Sequence, residues 1–96
     1  MQAINVMPIE EVITRVSEIC KECNVKHLYL FGSFAKGTNL PRSDIDFIVH
    51  GCDDMINLSE KIDDIPTLRK IDLFDYDEVC SDYLREDMDK YGIQIF

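Results

Sequence analysis

Apolar residues recur with a helical period near the start of the chain. Between residues 8 and 24 they are spaced i, i+3, i+4 and i+7, which is typical of one buried helix face. This face comprises Ile9, Val12, Ile13, Val16, Ile19, Cys20 and Cys23. Pro8 suits the first helical turn and Asn24 suits its end, so the pattern predicts an amphipathic helix over residues 8–24.

Three short apolar segments predict β-strands. His27–Phe31 is a buried run that stops at Gly32, and Asp44–His50 is rich in β-forming residues in its second half. The third predicted strand is Lys70–Tyr76. Residues 37–43 carry the glycine, asparagine and proline that are typical of a loop.

Two more helices and an edge strand complete the pattern. Asp53–Asp64 predicts a weaker helix with Met55, Ile56, Leu58 and Ile62 as its apolar positions. Residues 78–90 predict a last helix whose inner stripe comprises Val79, Cys80, Tyr83, Leu84 and Met88. Ile93–Phe96 predicts a short edge strand. Because helices and strands alternate, we expect an α/β (α+β) fold with helices packed on a small sheet.

Composition narrows the class of protein. The chain has 96 residues, 46% of them hydrophobic, which predicts a single domain over residues 1–96. Its net charge of −9 repels phosphate backbones, so direct nucleic-acid binding is not expected. No apolar run approaches the roughly 20 residues of a membrane span, so we expect a cytoplasmic protein that does not bind membranes. We expect free thiols at Cys20, Cys23, Cys52 and Cys80.

A Gly-Ser pair marks the end of the first predicted strand. Backbone N–H groups at the start of a following helix are unpaired and can hold phosphate oxygens. Gly32 permits close approach to the main chain, Ser33 adds a hydroxyl donor, and Lys36 lies one turn further on. An ordinary strand–loop connection is the alternative interpretation of this pair.

Two aspartates follow the Gly-Ser pair after ten residues. Residues i and i+2 of a strand project to the same side, so Asp44 and Asp46 stand together while Ile45 faces the other way. Like charges this close favour a hard divalent cation with oxygen ligands, Mg²⁺ or Mn²⁺. Two solvated aspartates at an exposed strand tip remain the alternative.

A third carboxylate is needed to hold two metal ions and to help deprotonate an attacking hydroxyl. Asp72 is our choice because it interrupts an apolar strand, where an aspartate without a partner costs several kcal/mol. Asp75 is a weaker candidate, since three residues along a regular strand place it on the opposite face. The pairs Asp53–Asp54 and Asp63–Asp64 are interpreted as surface charges at helix ends.

The skeleton Gly-Ser, ten residues, Asp-x-Asp, followed by an Ile-Asp-Leu-Phe-Asp strand, resembles the DNA polymerase beta-like nucleotidyltransferase superfamily. Within it the chain is similar to the minimal nucleotidyltransferase group. The resemblance implies a mixed β-sheet that binds NTP with two Mg²⁺ and transfers a nucleoside monophosphate to a hydroxyl. Members of this group are often antitoxins beside an all-helical HEPN partner, and some adenylylate a tyrosine of that partner. ATP and a HEPN-type protein are therefore the expected partners.

Carried onto this chain, the resemblance assigns triphosphate binding to Gly32 and Ser33 and metal binding to the three aspartates. Asp72 also orients or deprotonates the acceptor hydroxyl. Many relatives place arginine directly after the Gly-Ser pair, whereas Phe34 stands here, so one triphosphate contact is missing or is supplied by Lys36.

Two other functions remain open. A non-catalytic antitoxin that neutralises its partner by stoichiometric contact is suggested by the short chain, by Phe34 and by the apolar Ile93–Phe96. A fragment of a larger polymerase or aminoglycoside-modifying enzyme is a weaker alternative, because the chain begins and ends like a complete domain.

Overall fold

The computed structural model describes residues 7–38, 43–78 and 82–96. The described helices are α1 (Ile9–Glu22), α2 (Ser33–Lys36), α3 (Met55–Asp63) and α4 (Asp82–Tyr91). The described strands are β1 (His27–Phe31), β2 (Ile45–His50), β3 (Ile71–Asp75) and β4 (Ile93–Gln94). None of these helices has the length and apolar character needed to span a membrane. Residues 39–42 of the predicted loop, and Val79 and Cys80, lie outside the described residues.

The four strands form one mixed sheet with the order β3-β2-β1-β4. β1 is antiparallel to both β2 and β4, whereas β2 and β3 are parallel. The register places Phe31 opposite Asp46 and Asp46 opposite Asp72. This confirms the small mixed sheet with helices packed on it, and it brings the ends of β1, β2 and β3 together at one corner.

One face of the sheet carries the main core. Phe47 is fully buried on this face, together with its strand neighbours Ile45 and Val49. α1 and α3 cover it through apolar stripes whose buried members are Val12, Val16, Cys20, Leu58 and Ile62. The predicted buried face of the first helix is therefore confirmed.

α4 covers part of the opposite face. Met88 packs against Phe31 of β1 and Ile48 of β2, and Leu84 lies at the border of this smaller cluster. Because Ile48 alternates with Phe47, the two clusters lie on the two sides of the sheet. Asp46 has the same parity as Ile48 and therefore belongs to the α4 side.

The last helix differs from its predicted stripe at one described position. Tyr83 is 80% exposed, so its assignment to the inner face was wrong. Burial on α4 is confined to Met88, with Leu84 beside it, because the helix covers only the narrow Phe31–Ile48 strip. A tyrosine beside this strip keeps its hydroxyl in water, where it needs no protein partner.

The starts of α3 and β2 shift by one or two residues from their predicted positions for identifiable reasons. α3 begins at Met55 because the Asp54 carboxylate caps it and accepts a hydrogen bond from Asn57 N at 3.0 Å. β2 begins at Ile45, whose N–H donates to the carbonyl of Lys70 at 2.9 Å. Asp44 therefore stands just before the strand rather than inside it.

Candidate functional site

Two of the three predicted aspartates meet across neighbouring strands. Asp46 of β2 is the direct register partner of Asp72 of β3, and the two carboxyl groups lie close enough to affect each other's ionisation. Both strands run in the same direction, so equivalent positions project to the same face of the sheet. The structure thus brings Asp46 and Asp72 together on the α4 side, near the starting ends of β2 and β3.

The Asp46 carboxyl carries a raised pKa. Burial has the largest effect, and the negative charges of Asp72 and Asp44 add to it, raising the pKa from 3.8 to about 6. The hydrogen bond to Asp72 acts in the same direction, because a carboxyl must keep its proton to donate to another carboxylate. Lys70 opposes the shift, and its ammonium lies 3.6 Å from Asp72 Oδ1. Because each carboxyl group disfavours the negative charge of the other, a cation bound between them would stabilise both ionised forms.

The fit of a divalent cation depends on how many ligands the protein itself supplies. Within the described ranges, no group of three or more His, Cys, Asp or Glu side chains is placed to hold a metal ion. Asp44 is exposed, although its charge acts on Asp46, so the ready-made ligands are the Asp46–Asp72 pair. Mg²⁺ is commonly held by one or two carboxylates together with substrate phosphates and water. The donor set therefore fits an ion that binds together with a nucleotide.

The Gly-Ser turn lies against this pair of carboxyl groups. Gly32 has φ +75°, and a Cβ atom added to it would lie 2.5 Å from Asp46 Oδ2. Glycine is thus required both by the backbone conformation and by the carboxylate beside it. The first helical bond of α2 runs from Lys36 N to the carbonyl of Gly32 at 3.1 Å, so the N–H groups of Ser33 and Phe34 precede it. Both N–H groups lack a partner within the helix, and they directly follow Gly32, which lies against the Asp46 carboxyl group.

Lys36 lies at the end of α2, but its side chain turns towards α4. Its ammonium is 3.0 Å from Asp87 Oδ1 and 5.1 Å from the centre of the Tyr91 ring. The hydrogen bond to Asp87 is the largest cause of the raised pKa of Lys36. The structure does not bring this lysine to the carboxyl pair. Asp87 was missed by the sequence analysis, because no local pattern links residues 36 and 87.

The remaining candidates lie where their sequence positions suggested. Asp75 is on the face of Ile71 and Leu73, away from the carboxyl pair, and its Oδ1 accepts from Asp77 N at 3.0 Å. Phe34, at the position where relatives carry arginine, packs on the main core and lies 5.4 Å from the guanidinium of Arg69. Asp53 is exposed, as are Asp54, Asp63 and Asp64.

Two cavities lie away from these carboxyl groups. One of about 250 Å³ lies between α1 and α3 and is bordered by Arg15, Glu22 and Lys61 among others. The other, of about 210 Å³, lies before β3 and is bordered by Thr67, Arg69 and Lys70 among others. Neither cavity is bordered by Asp46 or Asp72.

Solved structures of similar fold include toxin-antitoxin proteins. A structure described as a toxin-antitoxin with AMP-PNP is 26% identical, with a TM-score of 0.68 over 88% of this chain and 72% of that one. A mutant of the toxin-antitoxin MntA-HpeT is also 26% identical, with a TM-score of 0.62 over 94% and 72% of the two chains. A putative nucleotidyltransferase from Sulfolobus solfataricus is 21% identical, with a TM-score of 0.50 over 98% and 92%, and shares the fold.

A family model settles the class of protein. Among curated proteins, none matches the chain significantly. The model of the family described as polymerase beta, nucleotidyltransferase matches residues 14–96, which include every predicted site residue. Nucleotidyltransferases generally use divalent metals, in agreement with the oxygen donors found here. The chain therefore belongs to the polymerase beta nucleotidyltransferase family and is a nucleotidyltransferase.

Proposed function

We propose that the chain is an antitoxin that transfers AMP from ATP to a tyrosine hydroxyl of a HEPN-type toxin. The observation that carries the proposal is the Asp46–Asp72 carboxyl pair beside the Gly32 turn. The neighbour described as a toxin-antitoxin with AMP-PNP supports an NTP as the donor and a toxin as the partner.

In this proposal Asp46 and Asp72 would hold Mg²⁺ together with the nucleotide phosphates. The exposed Asp44 would complete the three ligands that the family resemblance implies for two ions. When bound, these ions neutralise phosphate charge and favour the ionised form of the acceptor hydroxyl. Gly32 and Ser33 bind the triphosphate through their backbone and hydroxyl donors. Asp72 orients the acceptor hydroxyl and accepts its proton.

The transfer conserves atoms and charge in one displacement. The acceptor oxygen forms a bond to the α-phosphorus, the bond from that phosphorus to the bridging oxygen breaks, and pyrophosphate leaves. The tyrosine ends as its AMP ester. The α-phosphate is the only phosphate of ATP that stays on the product. No atom changes its oxidation state, so the reaction needs no oxidant.

Co-expression with the protein encoded beside this chain tests the proposal directly. Intact-mass spectrometry of that neighbour should show the added mass of one AMP, and fragmentation should place it on tyrosine. The variants Asp44→Ala and Asp46→Ala should leave the neighbour unmodified. An unmodified neighbour beside the wild-type chain, with ATP and Mg²⁺ present, would contradict the proposal.

A stoichiometric antitoxin is the second candidate. Its support is the exposed apolar surface at the C-terminal end, where Ile93 is 46% and Tyr91 is 42% exposed. The two functions separate in a growth assay with the double variant Asp44→Ala, Asp46→Ala. Full neutralisation of the toxin by this variant favours contact, whereas loss of neutralisation with complex formation retained favours nucleotide transfer.

A further inference from the structure

The ion pair between Lys36 and Asp87 connects the Gly-Ser helix to the last helix. Lys36 Nζ and Asp87 Oδ1 are 3.0 Å apart, and the side chains are 35% and 18% exposed. The Tyr91 ring, one turn after Asp87 on α4, lies 5.1 Å from the same ammonium. The lysine head group is therefore held by two groups of one helix.

Asp87 is fixed in place by its neighbour in the sequence. Met88 is buried against Phe31 and Ile48, so α4 cannot slide along the sheet without breaking this cluster. The following turn is fixed as well, because Gly92 N donates to the carbonyl of Met88 at 2.6 Å. A carboxylate on such a helix is positioned in advance, unlike one on a mobile surface loop.

Lys36 follows the Gly-Ser turn by three residues, on the helix whose first N–H groups are unpaired. A triphosphate bound at this turn would attract the ammonium, but the ammonium is already paired with a carboxylate. The two anions repel each other if both approach it. The carboxylate beside the ammonium therefore weakens the attraction of Lys36 for a phosphate.

We propose that Asp87 competes with the nucleotide triphosphate for Lys36 and thereby lowers the affinity of the chain for NTP. The inference rests on the proposed function, since it assumes that the Gly-Ser turn binds a triphosphate. In the closed state the ammonium is bound by Asp87, and in the open state it is free for phosphate. Apparent affinity scales with the fraction of molecules in the open state, so removing the competing carboxylate raises it.

Calorimetric titration with Mg²⁺ and AMP-PNP tests this competition. Asp87→Asn should bind the nucleotide roughly threefold to tenfold more tightly than the wild type, the range expected for releasing one partly exposed ion pair. Asp89→Asn is the matched control, because it removes the same charge from an exposed position of the same helix. Its affinity should stay within about twofold of the wild type, which corrects for the change in net charge.

The double variant Lys36→Ala, Asp87→Asn shows whether the effect passes through the lysine. Lys36→Ala alone should weaken binding, and adding Asp87→Asn should then change the affinity by less than about twofold. Melting temperatures of all variants verify folding, and Asp87→Ser provides a second substitution if Asp87→Asn does not fold.

The outcomes separate the two proposals. If the wild type binds AMP-PNP and Asp87→Asn binds it equally or more weakly, the competition is overturned while the proposed function stands. An equal gain in affinity for AMP-PNP in Asp87→Asn and Asp89→Asn also overturns the competition, because the change in net charge then explains the result. If the wild type does not bind AMP-PNP with Mg²⁺, the proposed function fails, and the competition fails with it.

Discussion

Asp46 and Asp72 are register partners across the only parallel strand pair in the described sheet, and the negative charge of Asp72 helps to raise the pKa of Asp46. Two acids at this distance oppose each other's ionisation, so the fold retains an arrangement that is unfavourable at neutral pH without a cation. Such an arrangement costs stability, which is a common property of functional sites. Its cost can be measured through its dependence on pH.

The first prediction concerns stability and pH. The pKa of Asp46 is 3.8 in the unfolded reference and about 6 in the folded protein, so folding favours the protonated form. The stabilisation from this proton is complete below the lower value and is lost as pH rises through the higher one. Asp46→Asn mimics the protonated acid at every pH. Its melting temperature should therefore match the wild type near pH 4 and exceed it near neutral pH.

Because Asp46 is partly solvated, we expect a gain of about 1 kcal/mol, which shifts the melting temperature of a domain this size by about 4–8 °C. Differential scanning calorimetry in cation-free buffer measures it. Asp89→Asn serves as a control for net charge. A difference between Asp46→Asn and the wild type that does not grow with pH would contradict the raised pKa.

The second prediction uses two glycines with the same φ. Gly32 and Gly37 both have φ +75°, but a Cβ atom on Gly37 meets nothing within 4 Å, whereas one on Gly32 meets Asp46 Oδ2. Gly37→Ala should cost about 1 kcal/mol for the left-handed backbone alone. Gly32→Ala should cost about 2–4 kcal/mol, because the ψ of −150° at Gly32 lies in a region that essentially only glycine adopts and because Asp46 must also move.

Urea denaturation gives both free energies of unfolding. Gly32→Ala should also lose the increase in melting temperature caused by AMP-PNP with Mg²⁺, while Gly37→Ala keeps it. Equal losses of stability in the two variants would contradict both the backbone strain at Gly32 and the energetic effect of its contact with Asp46.

The third prediction separates the two aspartates of β3. Asp72→Asn should reduce the rate of nucleotide transfer to the partner by about 10²- to 10⁴-fold, the range for loss of a group that accepts the proton. Asp75→Asn should change it by less than about threefold, because this side chain lies on the other face of the sheet and asparagine can still accept from Asp77 N. The time course of partner modification by mass spectrometry measures both rates. Similar losses of transfer rate in the two variants would show that the face on which an aspartate lies does not decide whether it takes part in the reaction.

The fourth prediction concerns the C-x-x-C pair of α1. Cys20 is fully buried, and its burial raises the pKa of the thiol to about 12. Because thiolates and not thiols react, Cys20 should resist iodoacetamide in the native protein and react only after unfolding. Cys23 is partly exposed and should be alkylated first, as peptide mapping would show. Rapid native labelling of Cys20 would contradict its burial.

Much of the fold was predictable from local pattern. The apolar period of α1 and the run His27–Phe31 were sufficient to predict a helix and a strand whose bounds agree within two residues. These signals are strong because one face of α1 is buried and because Leu28, Leu30 and Phe31 of β1 are buried. α4 was less predictable, because it packs on the sheet mainly through Met88, which contacts Phe31 and Ile48. Tyr83 of the same helix lies beside this contact and is exposed, so its predicted burial was wrong.

The candidate site was predictable in part. Alternation along β2 was enough to predict that Asp44 and Asp46 project to the same side, and the polar interruption of β3 was enough to choose Asp72 as the third carboxylate. The pairing of Asp72 with Asp46 depends on the register between the two strands, which no local pattern determines. The contact of Lys36 with Asp87 was not predictable, since it depends on where α4 crosses the sheet. The stacking of Arg69 on Phe34 was missed for the same reason.

The sequence by itself determined the glycine turn, the acidic residues and the periodicities that produce a small sheet with helices. Tertiary structure alone decided that β2 and β3 are parallel in a register that pairs Asp46 with Asp72, and that α4 holds Lys36. Periodicity is a local property of the backbone, whereas register and helix position follow from packing between segments far apart in the chain.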